Sequence, residues 1–477
     1  MIDIKKRVNY DIDTMTIYQP DISDRPGPKY RAIAQAIGED IASGNLPPGT
    51  RLPPHRDLAW RLGVTVGTIS RAYGEAARMN LVGGEVGRGT YVTDPAETTH
   101  DGAKNLTEAT PHLIEMTQNS PALGPHGAAL AESLRHVAEG RNGNALLGYN
   151  SEIGPQPHRE AGAKWLSRVG LEVTAEDVIV VGGAQSALLC ALLSFSKAHD
   201  PVLLEALTYN QLIDEVHLTE RRAVAVAMDD EGIMPAALDA ACTASGAKLL
   251  FVVPTLQNPS NAVMSLARRQ EIVDVARRHD LLVVEDDVYG YLIQDRPPTI
   301  ASLAPERTIY ITSASKCLAP GLRVGWATAP RRHLYRLAEA ARIATFAQSA
   351  LTGAVASQWI ESGRAEELLQ WQRRETEARY EIARKYFDGM DWHGHMAAFH
   401  ALLYLPDPWQ AEDFVARARQ AGIIISPLTP FAVDPYEAAQ AVRITLSQAP
   451  DRATLERALA ALRELWERGP SRPRAII

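Results

Sequence analysis

The run Ile311-Thr312-Ser313-Ala314-Ser315-Lys316 sets a lysine behind a cluster of hydroxyls, with Arg323 seven residues further on. One lysine at a strand end is ordinarily a solvated cation. These neighbours suit a different chemistry, in which the amine condenses with a carbonyl to a Schiff base while hydroxyls and guanidinium hold a phosphate beside it. Asp286 closes the apolar run Leu281–Glu285 and precedes Tyr289 by three residues. A carboxylate placed there can keep a ring nitrogen protonated, which turns the ring into an electron sink. Val181-Gly182-Gly183-Ala184-Gln185 joins an apolar run to a helical one. Its backbone amides, helped by the helix dipole, can cradle a phosphate. A Gly-Gly turn alone says little; its weight comes from the company it keeps.

These residues need elements to carry them. Val178–Val181, Val202–Glu205, Ala223–Met228, Lys248–Val253, Leu281–Glu285, Thr308–Thr312 and Val324–Thr328 read as strands, and helical stretches run from about Gln185 and over Leu266–His279. Such alternation predicts an α/β architecture with a mainly parallel sheet, whose ligands sit at the carboxyl ends of the strands. Lys316, Asp286 and Gly183 all fall there.

The N-terminal part follows a different pattern. Tyr30, Ile33, Ala34, Ile37 and Ile41 share one helical stripe, which the turn-forming Gly44 to Gly49 ends. A second helix, Arg56–Leu62, buries Leu58, Ala59 and Leu62; Gly63-Val64 turns the chain, and Thr65 caps a third helix from about Val66 to Met79 with Ile69, Tyr73 and Ala76 inward. Two short helices across a glycine turn form a helix-turn-helix, the second lying in a DNA major groove. Leu81-Val82 and Thr90–Val92 then flank Gly87-Arg88-Gly89 as a hairpin wing.

Bulk properties agree with a two-part chain. A length of 477 residues exceeds what one core usually covers. With 46% apolar and 22% charged residues the composition is that of a globular protein, and no apolar run is long enough to span a bilayer. The polar start MIDIKKRVNYDID has no secretory h-region, and Cys190, Cys242 and Cys317 lack metal-ligand spacing. A cytoplasmic protein without metal or membrane partner is expected. The net charge of −8 divides unevenly: Arg25–Val92 holds nine Arg/Lys against five Asp/Glu, a surplus of +4 that leaves −12 elsewhere. That asymmetry suits a DNA-binding module joined to an acidic partner.

Tyr30–Val92, through IASGNLPPGTRLPPHRDLAWRLGVTVGTISRAY and the closing GRGTYV, resembles the GntR-family winged helix-turn-helix over its whole length. The resemblance implies that Arg56, Thr65, Val66, Gly67, Thr68 and Ser70 face double-stranded DNA, with Arg88 at the wing tip. Val66 and Gly67 stand where family members often carry polar residues, which points to unusual base readout, with Val66 suited to a thymine methyl.

From about Gly148 to Ser447 the chain resembles the fold-type I aminotransferases. The resemblance implies pyridoxal 5'-phosphate (PLP) on Lys316, with Asp286 partnering the ring nitrogen and Asn258 (in PTLQNPS) and Tyr289 on the ring hydroxyl. Tyr209 would stack on the ring; Gly183, Ala184, Gln185, Ser313, Ser315 and Arg323 would hold the phosphate. Arg443 (in VRITLS) would grip a substrate α-carboxylate, and Tyr149 would reach the phosphate of a neighbouring subunit. Lys316, Asp286 and Tyr209 are then the residues expected to take part in chemistry. Asn261, Leu207 and His158 depart from the family pattern and touch substrate geometry rather than cofactor contacts.

A GntR-like head on an aminotransferase-like body is the arrangement of the MocR subfamily of regulators. The expected organisation is a winged helix-turn-helix at 25–93, a linker at 94–113, and at 114–470 an α/β PLP-dependent transferase fold with a small C-terminal α+β subdomain. The resemblance implies a homodimer with exchanged heads that regulates transcription and senses an amino compound, or PLP itself, through an external aldimine at Lys316. The alternative is a working aminotransferase that carries a DNA-binding head.

Overall fold

A computed structural model describes residues 18–22, 28–47, 49–78, 81–85, 89–92, 113–140, 143–345 and 347–470. The chain divides into two units, Met1–Pro111 and His112–Ile477. The linker expected at 94–113 lies outside the described residues except for Leu113, as does Arg88.

In the first unit, helices α1 (Lys29–Ala42), α2 (His55–Leu62) and α3 (Val66–Arg78) enclose one core. Ile33 and Ile37 of α1, Leu58 of α2, and Ile69, Tyr73 and Ala76 of α3 are buried in it, while Leu62 is only half-buried. α2 stops at Gly63, whose left-handed φ of 62° a side chain would resist. Thr65 opens α3: its Oγ1 accepts from the Thr68 backbone N–H at 3.2 Å, satisfying an amide the helix cannot. Strands β1 (Val82–Glu85) and β2 (Gly89–Val92) pair antiparallel. The chain before α2 adds a further ladder, with Leu52 N–H to the Thr90 carbonyl at 2.8 Å and Val92 N–H to the Thr50 carbonyl at 2.9 Å.

The second unit is built on a seven-stranded sheet in the spatial order Ile179–Val181, Gly325–Thr328, Thr308–Ser313, Leu282–Asp286, Leu249–Val252, Pro201–Glu205, Arg222–Val226. Gly325–Thr328 runs antiparallel to both its neighbours; the other pairings are parallel. Leu249–Val252 and Thr308–Ser313 are buried at every position, as a strand covered on both faces requires, so they read as unbroken apolar or hydroxyl runs. The strand expected over Ala223–Met228 is two elements. Arg222–Val226 is the sheet edge, whereas Met228–Asp229 pairs with Gly232–Ile233 in a separate hairpin closed by Gly232 at φ 100°.

A smaller antiparallel sheet follows, in the order Trp392–Gly394, His400–Tyr404, Ala441–Thr445, Ser426–Pro427. Helices Arg364–Tyr386, Ala411–Gln420 and Arg452–Arg468 accompany it, and its core gathers Phe387, Trp409, Phe414, Leu459 and their neighbours. The first strand after the linker, Ile114–Glu115, pairs in parallel with Ile423–Ile424 and so ties the start of the body to this subdomain.

The fit between layers is close at Gly162, in the helix Gln156–Ser167, where an added Cβ would stand 2.3 Å from the Trp326 ring. Trp326 is buried and donates through Nε1 to the His158 carbonyl at 3.3 Å. Gly162→Ala should therefore destabilise the body by about 1–3 kcal/mol through overpacking. An unchanged thermal unfolding midpoint would show that helix and sheet separate freely there.

Candidate functional site

A cavity of about 590 Å³ opens at the carboxyl ends of the parallel strands. Asp286, the last residue of its strand, enters it with Oδ1 buried and without a hydrogen-bond partner. Burial, then the neighbouring Asp287 charge, pushes the Asp286 carboxyl up to about 7, against the pull of Lys316. Asp287 is engaged elsewhere, accepting from Arg296 and, at 2.7 Å, from the Tyr310 hydroxyl. Lys316 extends from the short helix Ala314–Cys317 and donates to the Asn119 carbonyl at 2.6 Å. Burial, followed by the charge of Arg443, lowers its ammonium to about 8, so the reactive neutral amine is far more accessible than in a solvated lysine.

One end of the cavity is built for an anion. The helix Ala184–Phe195 begins there, directly after Gly183. Gly183 takes φ 97°, and a Cβ on it would lie 2.9 Å from the Arg323 guanidinium, so both conformation and space call for glycine. Arg323 donates to the Gly182 carbonyl at 3.2 Å. Ser313, Ser315, Ala184, Gln185 and Arg323 line the cavity; Gly183 is not among the lining residues.

The other end suits a carboxylate. Arg443, on the central strand of the small sheet, donates to Asn258 Oδ1 at 2.9 Å and to the Thr117 carbonyl, and its guanidinium lies 4.2 Å from the centre of the Phe431 ring. Its buried Nε has no partner. Burial lowers Arg443 to about 10, which leaves it cationic at neutral pH. Tyr209 lines the cavity half-buried, with its hydroxyl on Gln211. Tyr289 accepts from Asn119 Nδ2 at 2.7 Å.

The structure thus brings Lys316, Asp286, Asn258, Tyr289, Tyr209, Ser313, Ser315, Arg323, Ala184, Gln185 and Arg443 to one cavity. Tyr149 does not line it and is 93% exposed. Sequence reasoning missed the segment Thr117–Ser120, which also lines the cavity. Asn119 joins the Lys316 amine, the Tyr289 hydroxyl and, at 3.1 Å, His400 Nδ1. Asn261, where the family pattern has glycine, takes the left-handed φ of 64° and donates from Nδ2 to the His400 carbonyl at 3.0 Å. Asparagine tolerates that conformation better than most residues.

PLP fits these residues. The unpartnered Asp286 oxygen meets the need of a ring nitrogen, the helix start beside Arg323 meets that of a phosphate, and the Lys316 amine lies in the same cavity. Among the described residues no group of His, Cys, Asp and Glu could hold a metal ion, and no helix is long and apolar enough to cross a membrane.

In the first unit, Arg56, Thr65, Gly67 and Ser70 are exposed, as is Val66 at 44%, and Thr68 is half-buried. Thr65 and Thr68 share a hydroxyl contact of 2.9 Å, and Ser70 meets His55 Nδ1 at 3.3 Å. Together they form a polar start to α3, with Val66 the apolar exception.

Residues 111–462 match the family model of aminotransferase class I and II, and residues 29–92 match that of bacterial regulatory proteins of the gntR family. The chain is 28% identical to an uncharacterized HTH-type transcriptional regulator of Bacillus subtilis, YdeF, over 94% of its own length and 97% of that protein's. It is 30% identical to another such regulator, YjiR of Escherichia coli, over 64% of its length and 70% of the relative's. In structure it is similar to the α-aminoadipate aminotransferase LysN of Thermus thermophilus, with a TM-score of 0.70 and 24% identity over 78% of this chain and 98% of that one.

The Asp286 shift has a measurable sign. Its folded value of about 7 lies above the ordinary 3.8, so the cofactor-free chain loses stability as pH rises between those values and carries the whole penalty above about 7. Asp286→Asn should stabilise the cofactor-free protein by up to ~4 kcal/mol near pH 8 and clearly less near pH 5. Equal gains at both pH values in thermal melts would show that this carboxyl carries no charge penalty.

Proposed function

The chain belongs to the aminotransferase class I and II family and carries a GntR-type DNA-binding head, and from that premise we propose that it is a transcription regulator whose body senses an amino compound through PLP bound at Lys316. The family assignments make it a DNA-binding regulator with an aminotransferase-like, PLP-binding domain. The sensing role rests above all on one observation: an unpartnered buried Asp286 oxygen, a buried amine and a carboxylate-ready arginine share one cavity in a chain that also binds DNA.

PLP, when bound, supplies an aldehyde carbon that condenses with amines and a ring that withdraws electrons from them. Asp286, with its Oδ1 unpartnered, would hold the ring nitrogen and the proton on it. Asn258 and Tyr289 would hold the ring hydroxyl, Tyr209 would cover the ring, and Ser313, Ser315, Arg323 and the amides of Gly183, Ala184 and Gln185 would bind the phosphate. Lys316, whose ammonium burial lowers to about 8, would be the amine that holds the aldehyde carbon, and its Nζ could give up or take a proton within the cavity. Arg443 orients an incoming amine by its carboxylate, using the partnerless Nε and the fork now resting on Thr117 and Asn258.

In the head, Thr65, Val66, Gly67, Thr68 and Ser70 meet the major groove, and Arg56 and Arg88 meet the backbone or base edges. The protein acts as a homodimer in the manner of the MocR regulators. Binding of the amine biases the pair of heads, and DNA must then change affinity for the amine by the same factor.

The test is absorbance from about 300 to 500 nm on purified protein, wild type beside Lys316→Ala, as amino compounds are titrated in. A visible band that shifts with one compound in the wild type, and is lost or altered in the variant, is expected. No band even after PLP is added would overturn the sensor reading. Sustained keto-acid release over many cycles would favour a working aminotransferase. Arg443→Ala should weaken the response to a carboxylate-bearing amine about 10- to 100-fold, the loss of a charge-assisted hydrogen-bonded pair; an unchanged midpoint would remove Arg443 from the site.

A further inference from the structure

A second cavity, of about 460 Å³, lies at the opposite end of the large sheet, where the parallel strands begin. Asp200, Lys248, Leu281 and Arg307, each directly before one of these strands, contribute to its wall. Because Gly325–Thr328 runs antiparallel, its carboxyl end faces this side and delivers the helix Arg331–Thr345 to it. That helix holds Arg331, Arg332, Arg336 and Arg342 against the single acid Glu339.

The cavity is strongly cationic. Lys197, Lys248, Arg307, Arg332 and Arg336 line it, with Asp200 and Asp280 as the acids. Asp280 lies 3.6 Å from Arg307, so that pair cancels, while Asp200 accepts from the Lys197 backbone at 2.7 Å. Among the described residues, Lys197, Lys248, Arg332 and Arg336 have no carboxylate ion-pair partner. Lys248 donates to the His279 carbonyl at 2.6 Å, Arg332 contacts His333 at 3.0 Å, and Arg336 lies 5.6 Å from the centre of the Phe195 ring. Elsewhere on the body, exposed arginines such as Arg364, Arg384, Arg452 and Arg468 are paired with glutamates. Burial, then the charges of Arg332 and Arg336, holds the His333 imidazole below its ordinary value, as a locally positive field should.

We propose that this basin is a second DNA contact, in which Arg332, Arg336, Lys197 and Lys248 meet the phosphate backbone of duplex flanking the site that the heads occupy. A surplus of unpaired cations on a body that is otherwise acidic has charge complementarity with a polyanion. The protein already binds such a polyanion through its head. Phosphate contacts of this kind carry no sequence information; they add affinity and fix the path of the DNA.

The experiment uses the full-length protein with PLP and follows binding of mixed-sequence duplexes by fluorescence anisotropy as NaCl is raised. Each phosphate contact contributes about 0.9 to the slope of log K against log salt, so Arg332→Ala/Arg336→Ala should make that slope shallower by about 2 for each protomer engaged on a duplex of about 60 base pairs. On a duplex of about 20 base pairs, the span of two adjacent half-sites, the slope should not move. Arg332→Lys/Arg336→Lys keeps both charges and should restore the slope, which separates charge from the packing of Arg336 on Phe195. An unchanged slope on the long duplex, or equal losses on both lengths, would overturn the proposal. Unaltered cofactor absorbance and melting temperature would confirm that the variants fold.

Discussion

The placement of carboxyl groups at the ends of the central strands governs the large unit. Glu205, Glu285, Asp286 and Asp287 are all buried there, and a buried charge is costly unless it is neutralised or fully bonded. Glu205 and Glu285 are fully bonded, and Asp287 is bonded through one oxygen. Glu205 accepts from the Val253 amide at 3.2 Å and from Gln257 at 2.9 Å, and burial raises it to about 8, so it is largely protonated at neutral pH. Glu285 takes the amides of Ile300 and Ala301 and faces the fully buried Arg269 at 3.9 Å. Asp287 has Arg296 and Tyr310 on Oδ2, while its buried Oδ1 has no partner and lies outside the cavity lining. These residues brace loops against the sheet. Asp286 alone opens to a cavity with an oxygen unmet, and its position is meaningful only if something else brings the missing donor.

A related constraint links the site to the start of the body. Met116 accepts from the Thr445 amide at 2.9 Å, Thr117 from Arg443, Asn119 from Lys316, and Gln118 donates to Gln448 at 2.7 Å. Successive residues just past the linker are therefore fastened to the two cations that a carboxylate-bearing amine would engage. A carboxylate on the Arg443 fork would compete with the Thr117 carbonyl, at the start of the second unit.

Local pattern made much of this legible. In the head, apolar residues three or four apart and a glycine between two short helices are determined within each element, and Ile33, Leu58, Ile69 and Tyr73 are buried accordingly. Lys316 and Asp286 could be expected in one cavity because strand ends point ligands to one side of a parallel sheet. What escaped notice depends on distance along the chain. Asn119 meets Tyr289 across 170 positions and His400 across 281, and Thr117 meets Arg443 across 326. No periodicity encodes such contacts. Phe431 under Arg443 and the hairpin that interrupts Ala223–Met228 are likewise products of the assembled sheet.

The antiparallel strand Gly325–Thr328 shows how one topological choice serves both ends of that sheet. At its start it runs beside Ser313, and Gly325 sits so close to the Thr312 carbonyl that a Cβ would stand 2.7 Å away. The tight approach lets Arg323, two residues earlier and at a left-handed φ of 50°, turn its guanidinium toward Gly183 and the anion end of the cavity. At its finish the same strand releases the arginine-rich helix on the far side, where the parallel strands begin. Were it parallel like its neighbours, Arg323 and Arg332 would change ends. The cation that suits a cofactor phosphate and those left unpaired around the second cavity are thus separated by the direction of a single four-residue strand.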